Sequence, residues 1–125
     1  MIEAYSLNVT VPTNSAVPFN NVTVQKGCTA IVSAPATIQL NKCGVYMVSC
    51  DASSATSTSI QLFKDGIAQA QAQGTGTSPS FITLVQVERD NSNCCCSSPT
   101  LLQVRNSNST SATFTDINLC VTKVC

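Results

Sequence analysis

The sequence predicts an all-β protein built as a sandwich or barrel, and three observations carry that prediction. Short apolar or alternating runs recur about every ten residues with turn residues between them, which is the spacing of an all-β domain. No stretch sustains the 3.6-residue periodicity of an amphipathic helix. Asp65-Gly66 directly follows an alternating run and supplies the positive φ values of a tight hairpin turn. Together these give roughly eight to ten strands. A chain of 125 residues makes one domain, 1–125, with a single core.

Taken in order, Tyr5 to Val11 alternates cleanly and ends at Pro12-Thr-Asn-Ser. Val17 to Val24 is a second extended segment, where Pro18 suits an edge or a bulge. Gln25-Lys-Gly27 turns the chain, and Thr29 to Val32 and Thr37 to Leu40 are short strands around Pro35. Gly44 to Cys50 is apolar on both faces, with Val45 and Met47 on one side and Tyr46, Val48 and Cys50 on the other. Thr58 to Phe63 is half-exposed: Ile60 and Leu62 face one way, Ser59 and Gln61 the other. Ile67 to Gln73 alternates Ala and Gln, residues that also suit a helix; the flanking turns favour a strand. Phe81 to Val87 is again apolar on both faces, and Asp90 to Pro99 is a polar loop carrying Cys94, Cys95 and Cys96. Leu102 to Asn106 and Phe114 to Val124 are the last strands, separated by a Ser/Asn turn.

A monomeric sandwich covers only one face of each sheet. Strands 44–50, 81–87 and 117–124 read as apolar on both, and a copy of the same chain is the simplest cover for the second face. Tyr46, Val48, Cys50 and Cys120 are the residues expected at that subunit interface.

Several chemistries are disfavoured. There is no histidine, which removes Ser-His and Cys-His nucleophile pairs and His-containing zinc sites. The cysteines make no C-x-x-C pair, so neither a metal nor a cofactor is expected. Glu88 and Asp90 would share a strand face, but with Arg89 between them they read as the solvated end of a strand. Charged residues are 10% of the chain, sum to zero, and include six bases spread singly along it, so no nucleic-acid backbone is expected as a partner. Asn8, Asn21 and Asn108 open Asn-x-Ser/Thr sequons, read as composition rather than glycan sites. The first residues, Met-Ile-Glu-Ala-Tyr, have neither a basic nor an apolar region of a signal peptide, and no apolar run reaches the roughly 18 residues of a membrane span. Eight cysteines sit awkwardly in a reducing cytoplasm. A protein made inside a cell and later released from it reconciles the two, so no membrane partner is expected.

Gly44-x-Tyr46 opening a doubly apolar strand, Leu62-Phe-Lys-Asp-Gly66, Leu102-x-Val-x-Asn106 before a polar turn, and Leu119-x-Val-x-Lys-Val form a set. The set resembles the tumour-necrosis-factor and complement-globular-head superfamily over about Val17 to Val124. It is especially similar to a bacterial and phage branch, which includes tip domains of collagen-like spore-coat glycoproteins and phage head-fibre and capsid decoration proteins. The resemblance implies a ten-stranded jelly roll that trimerises three-fold through one sheet and is not an enzyme. It implies first a virion-surface protein, a capsid decoration or head-fibre trimer, with the major capsid protein or another particle-surface protein as partner. A spore-surface (exosporium) tip domain is the alternative, and a carbohydrate- or receptor-binding module, reading a host-surface glycan, is another. No Gly-X-Y stem precedes the domain and the cysteines are foreign to the family pattern. In the implied jelly roll the strand from Gly44 lies antiparallel to the last strand, with Phe81 to Glu88 on its other side. That order gathers Cys43, Cys94, Cys95, Cys96 and Cys125 at one pole, where a disulfide is expected after release, and leaves Cys28 unplaced.

Overall fold

A computed structural model of the chain describes residues 1–26, 30–32, 36–87 and 95–125, with 30–32 and 95–99 given as backbone path only. Ten strands build two antiparallel sheets, and no helix occurs among the described residues. The strands are β1 (Ile2–Val11), β2 (Asn21–Gln25), β3 (Ala30–Val32), β4 (Ile38–Lys42) and β5 (Gly44–Ser53), followed by β6 (Thr58–Lys64), β7 (Ile67–Gly76), β8 (Ser80–Val87), β9 (Cys95–Asn106) and β10 (Ala112–Lys123). One sheet has the order β2-β1-β10-β5-β8 and the other β3-β4-β9-β6-β7. The three strands whose sequences read as two-faced, β5, β8 and β10, are neighbours in the first sheet. Of these three β5 is the middle one, flanked antiparallel by β10 (Val48 opposite Val121) and β8 (Val48 opposite Thr83). That is the strand order the resemblance implied.

The core lies between the sheets. From the first sheet come Tyr46, Val48, Cys50, Phe114, Ile117, Leu119 and Val121; from the second, Ile38, Leu40, Ile60, Leu62, Leu102 and Val104. Strand alternation fixes most of this, since residues two apart share a face; β10 changes parity once, between Phe114 and Ile117, which are three apart and both buried. It also corrects an expectation: Tyr46, Val48 and Cys50 are 0%, 0% and 2% exposed inside the sandwich, so they are core residues and do not stand on an outward face. Their neighbours Val45, Met47, Ser49 and Asp51 face outward instead. The two parity groups were legible, but which of them met the core was not. β10 is likewise one-faced: Ile117, Leu119 and Val121 point inward, while Asn118, Cys120 and Thr122 point outward.

The Asp65-Gly66 turn forms as expected, with φ of 51° and 81° at its two central residues. The Asp65 carboxylate accepts the Leu101 N–H at 2.9 Å, locking the hairpin to β9. β9 begins earlier than the alternating segment from Leu102: residues 95–99, read as part of a loop, open the strand. Leu40 lies opposite Thr100 but Lys42 opposite Cys95, so five steps along β9 match two along β4. A bulge of this kind absorbs surplus residues, Pro99 among them. Val17 to Phe19 is not a ladder strand. Val17 donates its N–H to Val104 O at 2.7 Å and buries its side chain with that of Phe19.

Candidate assembly face and cysteine pole

The outward surface of the β2-β1-β10-β5-β8 sheet is the first candidate site. Register places its side chains in rows: Thr122, Met47 and Leu84; then Glu3, Cys120, Ser49 and Ile82; then Tyr5, Asn118, Asp51 and Ser80; and Leu7 beside Asp116. Apolar groups occupy the two flanks and small polar groups the centre. Leu7, Ile82 and Leu84 are 60%, 65% and 60% exposed, large apolar residues standing in mid-strand rather than at loop tips. Ile82 and Leu84 are outward residues that the sequence does not single out, because Phe81 to Val87 is apolar at both parities. Cys120 alone of the expected interface residues faces this side, half-buried. The central hollow, about 330 Å³, is lined by Glu3, Ser49, Asp51, Asn118 and Cys120.

Tyr46 reaches the top of the core and donates its hydroxyl hydrogen to Lys42 O at 2.7 Å. It bridges the two sheets and offers no stacking face to a ligand. Glu88 and Asp90 lie outside the described residues, as do Cys28 and Cys94. Among the described residues no group of three His, Cys, Asp or Glu side chains is arranged to hold a metal ion.

The cysteine pole is the second site. Cys43 and Cys125 line one hollow of about 510 Å³ with Gly44, Val87 and Lys123. The Val45 N–H donates to Cys125 O at 3.4 Å, and both Val124 and Cys125 donate to Val45 O, at 2.8 and 3.3 Å. The last residue is therefore held on the entry of β5. Gly44 makes this approach practicable: a Cβ there would lie 2.5 Å from Cys125 O, at a φ of +144°. Backbone register brings Cys95 opposite Lys42 at the same end. Cys50 is a different thiol. Burial, with Asp51 adding to it, pushes its pKa far up, so it stays protonated and inert.

Folding also sorts charge in a way the linear chain hid. The turn ends of β2, β4, β6 and β10 bring Lys26, Lys42, Lys64 and Lys123, four of the six bases, to the cysteine pole; Lys64 Nζ donates to Gln86 O there at 2.8 Å. The opposite pole consists of the segments 12–16, 54–57, 77–79 and 107–111, which hold no charged residue. Asn106 organises it. Fully buried, it donates through Nδ2 to Val11 O at 2.9 Å and Thr110 O at 3.1 Å, and accepts the Asn108 N–H at 2.9 Å. Its backbone pairs with Asn14 and Ser15. In the sequence Asn106 read only as the start of a turn; nothing local betrays a side chain that ties the end of β1 to the 107–111 loop.

No family model matches this chain, and no curated protein matches it significantly. Solved structures do. The chain is similar to the globular domain of a zebrafish complement 1qA protein, with a TM-score of 0.76 at 8% identity over 99% of this chain and 96% of that one. It is similar to murine APRIL, with a TM-score of 0.66 at 8% identity over 98% of each chain. An Eiger TNF from S. frugiperda matches with a TM-score of 0.53 at 14% identity, covering 99% of this chain and 92% of that one. The fold is therefore a jelly roll of the tumour-necrosis-factor and complement-head type.

Proposed function

We propose that this chain is a non-enzymatic module that assembles as a homotrimer and is displayed on the surface of a larger particle, first as a virion capsid decoration or head-fibre protein. The observation that carries the reading is the outward face of β1-β10-β5-β8, with Leu7, Ile82 and Leu84 each at least 60% exposed. Large apolar groups standing exposed on both flanks of an otherwise ordered sheet mark an association surface. A closed ring of copies covers such a face without leaving an open edge. The tumour-necrosis-factor-like fold favours three as the number.

The two poles support an orientation on the particle. The lysine-bearing pole faces the particle-surface partner, where cations meet an acidic protein surface. The uncharged pole of Ser, Thr and Asn loops faces outward, hydrated without net charge. Light scattering on the purified chain tests the assembly, with a trimer mass expected; a monomer at micromolar concentration overturns it. Immunogold labelling of particles from the source tests the display, and label confined to particle-free material overturns it.

A further inference from the structure

We propose that Cys43 and Cys125 form an intrachain disulfide, clasping the end of β10 to the entry of β5 when the chain meets a low-molecular-weight disulfide such as oxidised glutathione. Both line the same hollow, and Cys125 is already hydrogen-bonded to Val45, two residues beyond Cys43. The 2.5 Å between Cys125 O and the Cβ position of Gly44 limits how far apart the cysteines are. Adding one Cα–Cα step to Cys43 and the span from carbonyl oxygen to its own Cα keeps the two Cα atoms within roughly 10 Å. A disulfide needs about 4.4–6.8 Å. That bound includes the disulfide range, and because Cys125 and Val124 are both exposed no packed side chain stands against closure.

The other thiols with described side chains are poor rivals. Cys50 is enclosed in the core. Cys120 is diagonal to it, beside Leu119 in the Cys50 pair, but on the opposite face of the sheet, so the two cannot join. Cys95, opposite Lys42, is the competitor that the experiment must separate.

The chemistry is thiol–disulfide exchange. The Cys125 thiolate attacks one sulfur of oxidised glutathione; the S–S bond breaks, a mixed disulfide forms and one glutathione thiolate leaves. The Cys43 thiolate then attacks the Cys125 sulfur and expels the second glutathione. Two protein thiols are oxidised by two electrons, and the glutathione disulfide is reduced to two glutathiones that carry the protons. The bond ties the central pair of the first sheet together at its open end. It does not depend on trimer formation.

The test uses the full wild-type chain equilibrated in glutathione redox buffers, then alkylated, digested and mass-mapped. The expected product joins the peptide carrying Cys43 to the peptide carrying Cys125, as a monomer on a non-reducing gel run in denaturant. The oxidised form melts on the order of 10 °C above the reduced one. Cys43→Ser and Cys125→Ser each abolish that difference, and Cys120→Ser retains it. Cys125 joined to any other cysteine, or to a second copy, overturns the proposal. So does continued alkylation of both residues after oxidation, a result that needs no variant to fold.

Discussion

The outward faces of the two sheets are made by the same alternation from the same chain, yet they end in opposite states. On the β4-β9-β6-β7 side the polar groups are tied to one another. Gln103 donates to Thr37 Oγ1 at 3.1 Å and accepts from Arg105 Nε and Nη2 at 3.2 and 3.0 Å, while the Arg105 guanidinium lies 4.2 Å from the centre of the Phe63 ring. Gln61 donates to Gln69 O at 3.2 Å. Its exposed apolar residues, Ile67 and Leu101, sit together at the Asp65 hairpin rather than in mid-face. On the β1-β10-β5-β8 side Leu7, Ile82 and Leu84 stand out from mid-strand, and the acids Glu3, Asp51 and Asp116 face outward with no base in their rows. One surface is finished by its own side chains; the other leaves Leu7, Ile82 and Leu84 uncovered in the single chain. The difference lies in packing and is what makes the assembly reading specific to one sheet.

The sharpest way to separate core from assembly face is a pair of neighbours on β5. Val48→Asp places an unpaired charge in the sandwich and is expected to cost several kcal/mol, enough to unfold a domain of this size. Met47→Asp, one residue away on the outward side, is expected to leave the fold intact and weaken assembly. Circular-dichroism melts read the first effect and sedimentation reads the second. If Met47→Asp unfolds the chain as completely as Val48→Asp, the two faces of β5 have been misassigned.

Next in size is Leu84→Asp. At the proposed interface each copy would bury a carboxylate against apolar neighbours, raising the trimer dissociation constant by at least about tenfold. Its thermal stability at concentrations where the wild type is dissociated should change by about half a kcal/mol or less, because the residue is exposed in the single chain. An unchanged trimer at pH 7 removes β8 from the interface.

Much of the fold was legible because it rests on local rules. Asp65-Gly66 forced a hairpin, alternation marked the strands, and the doubly apolar segments fell side by side in one sheet. What was not legible depends on contacts far apart in sequence. Tyr46 and Met47 differ only in parity, and nothing in Gly44 to Cys50 says which parity faces the second sheet. Glu3 and Asp51 line one hollow only because β10 lies between their strands. The lysines read as scattered because they lie at strand ends spaced along the chain, and antiparallel pairing then brings those ends to one pole.

Gly66→Val acts on neither outward face and so measures scaffold strain alone. Gly66 has a φ of 81° with open space where a Cβ would point. Backbone strain, without a clash, is expected to cost roughly 1 kcal/mol or slightly more. Chemical denaturation should show a lower midpoint with no change in oligomer mass. A variant as stable as wild type would mean that the turn relaxes to another type without consequence for the Asp65–Leu101 bond.

The smallest effect is expected on the self-satisfied face. Gln61→Asp removes a side-chain donor from Gln69 O and puts a carboxylate near that carbonyl. Gln61 is half-buried at the edge of solvent, so the lost hydrogen bond is worth about 0.5–1.5 kcal/mol at most. Water can take its place on both groups, which brings the net cost down to about half a kcal/mol. The nearest base on that face, Arg105, lies opposite Gln61 in the β6–β9 register, and its attraction to the new carboxylate offsets part of that loss. The variant should therefore melt within a few degrees of wild type and sediment as the same oligomer. Dissociation caused by Gln61→Asp, with Leu84→Asp remaining a trimer, would reverse the comparison and move the assembly surface to the other sheet.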